Sequence, residues 1–444
     1  MIGSFIIAQV LGAAIATAPP TALPGRTATA SDTNTTTYTV GGIRVIHRRT
    51  NLSTVVTNVY LLGGVRSAPA GKQGLENFLL QISERGTTRY PREALRKSLA
   101  RTGAEMVIEP RKDWTMIGAR TTPAELDSTW AILVDRVMRP RLDSADVEFT
   151  RAQMIGAVRQ REDSPDAMLD YIADSIAYAG SAYATSAVGT EQSLAAISRA
   201  DLQRFVREQV VASRILLVVV GNVDRPTVER LVRSSLATLP AGGYTWAMPD
   251  TLATPVADAL VARRPLPTNY IQGYFRGPPA NSPDAPALRV ASAVLSGRMF
   301  GEIRSRRNLT YAVSANFSDR ALTSIGLYVT TTLPDSVLGL MATEIRTLQL
   351  YEIQTELLRP IILQFITEYF LDNETSTAQA DFLARALLYR GDVTAGDRFV
   401  SDLRAVTGAD VRRVAQRYLQ SPRWAYIGDP GKVSRSRLLR FQSP

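Results

Sequence analysis

The sequence predicts an α+β protein made of two copies of one unit, each an antiparallel sheet with packed helices, the pair facing one another across a cleft. Three observations carry this expectation. Short alternating or wholly apolar runs of strand length are interspersed with 3.6-period segments of helical length. A stretch rich in proline and glycine, without sustained period, interrupts the chain between 240 and 267. The text after that stretch also repeats the text before it. At a shift of 208 residues Ile117-Gly118 meets Ile325-Gly326, Thr122 meets Thr330, Asp127-Ser128 meets Asp335-Ser336 and Val137 meets Ile345. At nearly the same shift Ser198-x-x-Asp201 meets Thr407-x-x-Asp410, and the run ending at Gly221 meets Trp424 to Gly428. Matches in constant order at a steady offset mark an internal duplication.

Each element has its own signal. Tyr38 to His47 alternates around Gly41-Gly42, a hairpin pattern, and Val55 to Leu62 reads as a further strand. Helices are expected near 72–84, 91–102, 123–137, 143–162 and 166–179, with strands at 104–109 and 114–120 between the second and third of them. Ser198 has the chemistry of an N-cap three residues before Asp201. Ile215 to Val220 is a buried-strand run closed by Gly221, and a helix over about 226–237 completes the first copy. The resulting division is 37–239 for the first domain, 240–267 for the connection, 268–434 for the second domain and 435–444 for a basic tail.

The 444 residues are 45 % apolar and 21 % charged, the balance of a folded globular chain. Cysteine is absent, which excludes disulfides, thiolate metal sites and a cysteine nucleophile. There is one histidine, His47, which excludes every paired-histidine metal site, H-x-x-E-H included. His47 ends an alternating run and reads as a structural strand residue; a Ser-His-Asp triad built on it is the remaining formal alternative. The net charge of +10 is carried by arginine, since only Lys72, Lys97, Lys112 and Lys432 are lysines. The arginines are interleaved with Asp and Glu, without a dense stripe or an aromatic ladder beside it, so no nucleic-acid partner is expected.

Phe5 to Ala18 is apolar but too short to span a bilayer, and Ala16-Thr17-Ala18 before Pro19-Pro20 fits a cleavage site. Residues 1–18 are therefore expected to be a signal peptide and 19–36 a flexible leader, placing the chain in the periplasm or outside the cell. No Lys or Arg precedes Arg26, so an uncleaved apolar arm or a wrongly placed start stands as the alternative. No other segment reaches transmembrane length.

The segment Gly74-Leu75-Glu76-Asn77-Phe78-Leu79-Leu80-Gln81, followed by Gly86-Thr87, resembles the G-L-A-H-F-L-E-H…G-T text of the pitrilysin and insulinase-like zinc metallopeptidases, of the mitochondrial processing peptidase-like kind. The resemblance covers roughly residues 38–433 and implies that family's two-domain fold. It places Asn77 at the first histidine, Leu80 at the catalytic glutamate and Gln81 at the second histidine. Counting back from Gln160-Arg161-Glu162-Asp163-Ser164-Pro165 puts the distal glutamate ligand at Ala157. Neutral amides, a leucine and an alanine cannot replace two imidazoles and two carboxylates around zinc. No metal is therefore expected in this chain.

The second copy keeps what the first has lost. Arg304-Ser305-Arg306-Arg307-Asn308-Leu309-Thr310-Tyr311 matches the family's R-E-K-R-G-L-A-Y text, whose Arg and Tyr are associated with holding peptide over the zinc. The resemblance thus implies a non-catalytic, substrate-binding subunit of a heterodimeric zinc peptidase. Arg304 and Tyr311 would serve peptide hydrolysis at the zinc of a homologous partner chain, and no peptidase activity is expected from this chain alone. The edge-strand text Gly103-Ala104-Glu105-Met106-Val107-Ile108-Glu109 lacks the family's Asn-Ala, which argues against peptide binding in the first half. The alternative is a non-proteolytic structural or peptide-binding subunit, comparable to the bc1 core proteins.

Overall fold

The computed structural model describes residues 34–441 apart from 251 and 253–255. The expected signal peptide, and all but the end of the expected leader, lie outside the described residues. The first half runs β1 (Thr35–Val40), β2 (Ile43–Arg49), β3 (Val55–Leu62), α1 (Leu75–Ile82), α2 (Arg92–Thr102), β4 (Glu105–Pro110), β5 (Trp114–Thr121), α3 (Leu126–Met138), α4 (Ser144–Asp163), α5 (Pro165–Ala177), α6 (Glu191–Ala196), α7 (Arg199–Gln209), β6 (Ile215–Gly221) and α8 (Arg225–Arg233). The second runs β7 (Asp258–Arg263), β8 (Asn269–Pro279), α9 (Ala285–Met299), β9 (Val313–Ser318), β10 (Leu322–Thr331), α10 (Pro334–Leu350), α11 (Thr355–Asp372), α12 (Ser376–Arg390), α13 (Ala395–Arg404), α14 (Gly408–Tyr418), β11 (Arg423–Gly428) and α15 (Arg435–Leu439).

The duplication read from the text is present in the strand orders. The first sheet is β1-β2-β6-β3-β5-β4 and the second β7-β11-β8-β10-β9, so the last five strands of one match the five of the other. The two sequence-paired helix starts are both capping boxes: Ser198 with Asp201 opens α7, and Thr407 with Asp410 opens α14. Gly41 and Gly42, at φ 55° and 83°, form the two-residue turn that joins β1 to β2.

The sheets are mixed rather than wholly antiparallel. In each, the strand that follows the helices returns between two earlier ones and runs parallel to one of them: β6 beside β2, β11 beside β7. A central strand must be apolar on both faces, and every residue of β6 is buried. The stretch expected to be a free connection also holds structure. Its end forms β7, which pairs along β11. Its aromatic part packs Tyr244, Trp246 and Met248 against the first sheet. The basic tail likewise docks, because Leu438 and Phe441 are buried in the second core and Phe441 meets Trp424 edge-on at 4.8 Å.

The halves clasp one another through exchanged helices. One face of the first sheet packs on its own helices through residues such as Val59, Phe78, Leu133 and Leu202. Its other face receives α12 from the second half, with Leu383, Ala384, Leu388 and Tyr389 against Tyr60, Trp114 and Val218. The second sheet is covered reciprocally by α5, whose Leu169, Ile172 and Ile176 meet Ala425 and Ile427. Each buried leucine or isoleucine stabilises by roughly 1.5–3 kcal/mol relative to exposure, so open sheet faces would be costly. Polar contacts fix the register of the clasp. Asp174 of α5 accepts from Arg320 at 2.9 Å and lies 3.2 Å from Lys112, and Tyr183 and Tyr389 both donate to the buried Asp113. Burial pushes the Lys112 ammonium below its ordinary pKa, against the pull of Asp174.

Candidate functional site

The helix at the resembled metal site is α1. Gly74, at φ 87°, turns the chain into it and accepts from the Phe78 amide at 2.8 Å. Seven of its eight residues are buried, which leaves little surface for a ligand. Leu80 lies in the first core at 2 % exposure, Asn77 is buried with its side-chain carbonyl unpartnered among the described residues, and Gln81 is half-buried. Ala157 is exposed on α4, which packs against α1. Helix packing thus keeps α1 and α4 together, and the donor set they carry does not fit a zinc ion. Among the described residues no three His, Asp or Glu side chains are grouped to hold a metal.

One carboxylate does sit on α1, and it is committed elsewhere. Glu76 pairs with Arg214 at 2.9 Å, and Arg214 also donates to the Leu62 carbonyl at 2.8 Å and to Gln209 at 3.1 Å. Burial raises the Glu76 carboxyl, with Arg214 opposing that rise. Glu76 lines a cavity of about 10 Å³, no larger than a single water. The lone histidine is structural: its Nε2 lies 3.0 Å from the Val223 carbonyl, and burial lowers its pKa.

In the second half the structure brings Arg304 and Tyr311 together. Helix α9 continues into a π-helical turn, Phe300–Ser305, in which the Arg306 amide reaches back five residues to the Gly301 carbonyl at 3.1 Å. Asn308, at φ 52°, then reverses the chain; it stands where the resembled text has Gly, and Asn tolerates this left-handed region better than most residues. Leu309 packs on the second core and the Thr310 hydroxyl bonds the Thr330 carbonyl at 2.6 Å. With both neighbours anchored inward, Tyr311 projects at 83 % exposure. The Arg304 guanidinium carbon lies 5.2 Å from the Tyr311 ring centroid and 4.9 Å from that of Phe300.

Charge distinguishes Arg304 from its neighbours. Arg298 pairs with Glu344 at 2.8 Å, Arg306 with Glu302 at 2.8 Å, and Arg307 with the same Glu302. Among the described residues Arg304 has no carboxylate partner, so its N–H donors remain available for a carbonyl or an anion. Sequence reasoning placed the Arg and Tyr but missed Phe300, whose signal was an aromatic residue four positions earlier on the same helix face.

Known proteins resemble the chain over most of its length. Residues 44–191 match the family model described as insulinase, peptidase family M16, and residues 196–364 match the one described as peptidase M16 inactive domain. The beta subunit of mitochondrial-processing peptidase from Blastocladiella emersonii is 23 % identical, over 91 % of this chain and 90 % of that protein. Human cytochrome b-c1 complex subunit 1, mitochondrial, is 24 % identical over 57 % of this chain and 53 % of its own length. Among solved structures, a peptidase M16 inactive domain from Pseudomonas fluorescens superposes with a TM-score of 0.81 at 16 % identity, covering 89 % of this chain and 98 % of that one.

Proposed function

The chain belongs to the M16 family of insulinase-type peptidases, and from that footing we propose that it is the zinc-free, substrate-binding subunit of a heterodimeric zinc peptidase. The observation that carries the reading is Arg304, the one arginine of its turn without a carboxylate partner among the described residues, set beside an exposed Tyr311. A guanidinium can donate to a peptide carbonyl and to the oxyanion that develops from it, and a phenol can add a second donor. Asn77, Leu80, Gln81 and Ala157 supply no water activation, so hydrolysis must draw it from the zinc of another chain. The closed clasp points the same way. With both faces of each sheet covered, a peptide chamber has to be completed by a second chain.

Two of the similar proteins carry the word subunit in their names, which supports a paired assembly. The similarity to the b-c1 subunit also favours a second reading, in which the chain is a non-proteolytic structural or peptide-binding subunit. Native mass spectrometry on the chain purified from its own cells, with metal content read on the same sample, separates the two. The peptidase reading expects a stable pair with a homologous chain and zinc in that other chain. A zinc-free monomer or homodimer overturns it. Export, proposed from residues 1–18, is tested in that preparation by the N-terminal sequence of the mature chain, expected to begin near Pro19. Among the described residues no helix is long and apolar enough to cross a membrane.

A further inference from the structure

We propose that Phe300 is a positioning residue for Arg304, holding its guanidinium beside Tyr311 while leaving its N–H donors uncommitted. The inference rests on the reading of Arg304 as a substrate-binding group, but its geometry stands apart from that reading. An arginine near the end of a helix is ordinarily oriented by a carboxylate, which occupies two of its five donors and cancels its charge. The acid within reach here, Glu302, is taken by Arg306 and Arg307. Arg304 is oriented by ring faces instead, at 4.9 Å from Phe300 and 5.2 Å from Tyr311. A π face attracts the guanidinium without consuming a hydrogen bond.

The two rings are not equivalent. Tyr311 is 83 % exposed and has rotamer freedom of its own, so it is a poor anchor. Phe300 is half-buried, packs against the second core, and opens the same π-helical turn, four residues before Arg304. At that spacing the two side chains share one helix face. The fixed ring therefore orients the cation, and the cation in turn gives the exposed phenol a place to rest.

The first test needs no enzyme activity. In the full chain, the Arg304 Nε–H NMR resonance, assigned by its loss in Arg304→Lys, should be displaced by the ring current. Phe300→Leu, which keeps an apolar group in the core, should return it toward the free-arginine position, and Phe300→Tyr should retain it. A resonance unmoved by Phe300→Leu overturns the proposal. The second test uses the assembled complex. Phe300→Leu should lower kcat about three- to tenfold with KM within about twofold, and Phe300→Tyr should restore it. In an Arg304→Ala background Phe300→Leu should cost nothing more, because its effect runs through Arg304. An equal further loss there would show a merely structural role and overturn the proposal. Wild-type turnover from Arg304→Ala alone would sink the subunit reading, and the NMR comparison would still decide the role of Phe300.

Discussion

The two halves of this chain share a five-strand order and a pair of capping boxes, yet they have treated their functional helices in opposite ways. In the first half, α1 is sunk into the core and its one carboxylate is spent on Arg214. In the second, α9 runs out into a widened turn that presents a cation and a phenol. A scaffold is held by apolar periodicity and strand pairing, which tolerate any ligand residue that packs. Chemistry is held by a few side chains, and these can be lost without the sheet responding.

The comparison is broken most directly by removing the polar groups of each half in turn. In a zinc-bearing complex, Arg304→Ala should lower kcat by about 10²–10³, the usual cost of one donor to a developing oxyanion. Its thermal midpoint should stay within a few degrees, since Arg304 makes no ion pair among the described residues. Asn77→Ala and Gln81→Ala, at the resembled ligand positions, should leave turnover within about twofold. A large kinetic effect at Asn77 would mean that the first half still meets the substrate.

The clasp gives the next largest effect. Asp113 is buried and accepts from Tyr183 of the first half and, at 2.7 Å, from Tyr389 of the second. Removing one donor to a buried carboxylate costs about 1.5–3 kcal/mol. Tyr389→Phe should therefore lower the denaturation midpoint of both halves together. Two separate transitions in that variant would show that the apolar contacts of α12 and α5 do not suffice to couple the halves.

How much of this was legible in the sequence follows from what each feature depends on. The duplication, the β1–β2 hairpin and the capped starts of α7 and α14 depend on local text, and the text showed them. Strand β7 was hidden because Asp258–Arg263 is short and half-polar, and its pairing partner β11 lies far along the chain. The exchange of α5 and α12 was hidden for a related reason. Periodicity shows that a helix has an apolar face but not which sheet covers it. Arg304 and Tyr311 were legible only through resemblance, while the bare charge of Arg304 required knowing that Glu302 pairs with its neighbours.

A finer comparison uses the two equivalent caps. Burial pushes the Asp201 carboxyl up, but the Lys72 ammonium and the Ser198 donors outweigh it and hold it well below the usual carboxylate range. The Thr407 donors hold Asp410 below that range, helped by the more exposed Arg413 at 3.1 Å rather than by a lysine. A carboxylate depressed in the folded state contributes stability above its unfolded pKa of about 3.9 and loses it as pH falls through the lower folded value. Asp201→Asn should accordingly cost about 1–2 kcal/mol at pH 7, and Asp410→Asn about 0.5–1 kcal/mol. Both differences should close as the pH falls below about 4, in urea titrations followed by circular dichroism. A gap that does not narrow at all between about pH 4 and pH 2 would show that the loss is one of packing rather than charge.

The smallest expected effect tests whether the second half is shaped for its side chains. Asn308 reverses the chain at φ 52°, where a β-carbon costs about 1–2 kcal/mol and asparagine less. Asn308→Ala should destabilise by about 0.5–1 kcal/mol and lower kcat less than tenfold, because the reversal carries Tyr311 back over Arg304. Asn308→Gly restores the residue of the resembled text and relieves the strain, while freeing the unfolded chain, so its stability should change by less than about 0.5 kcal/mol. If Asn308→Ala were instead as stable and as active as the native chain, the left-handed turn would not be what places Tyr311. The anchoring of Leu309 and Thr310 in the core would then suffice, and the second half would have kept its pair by packing, just as the first half keeps its sheet.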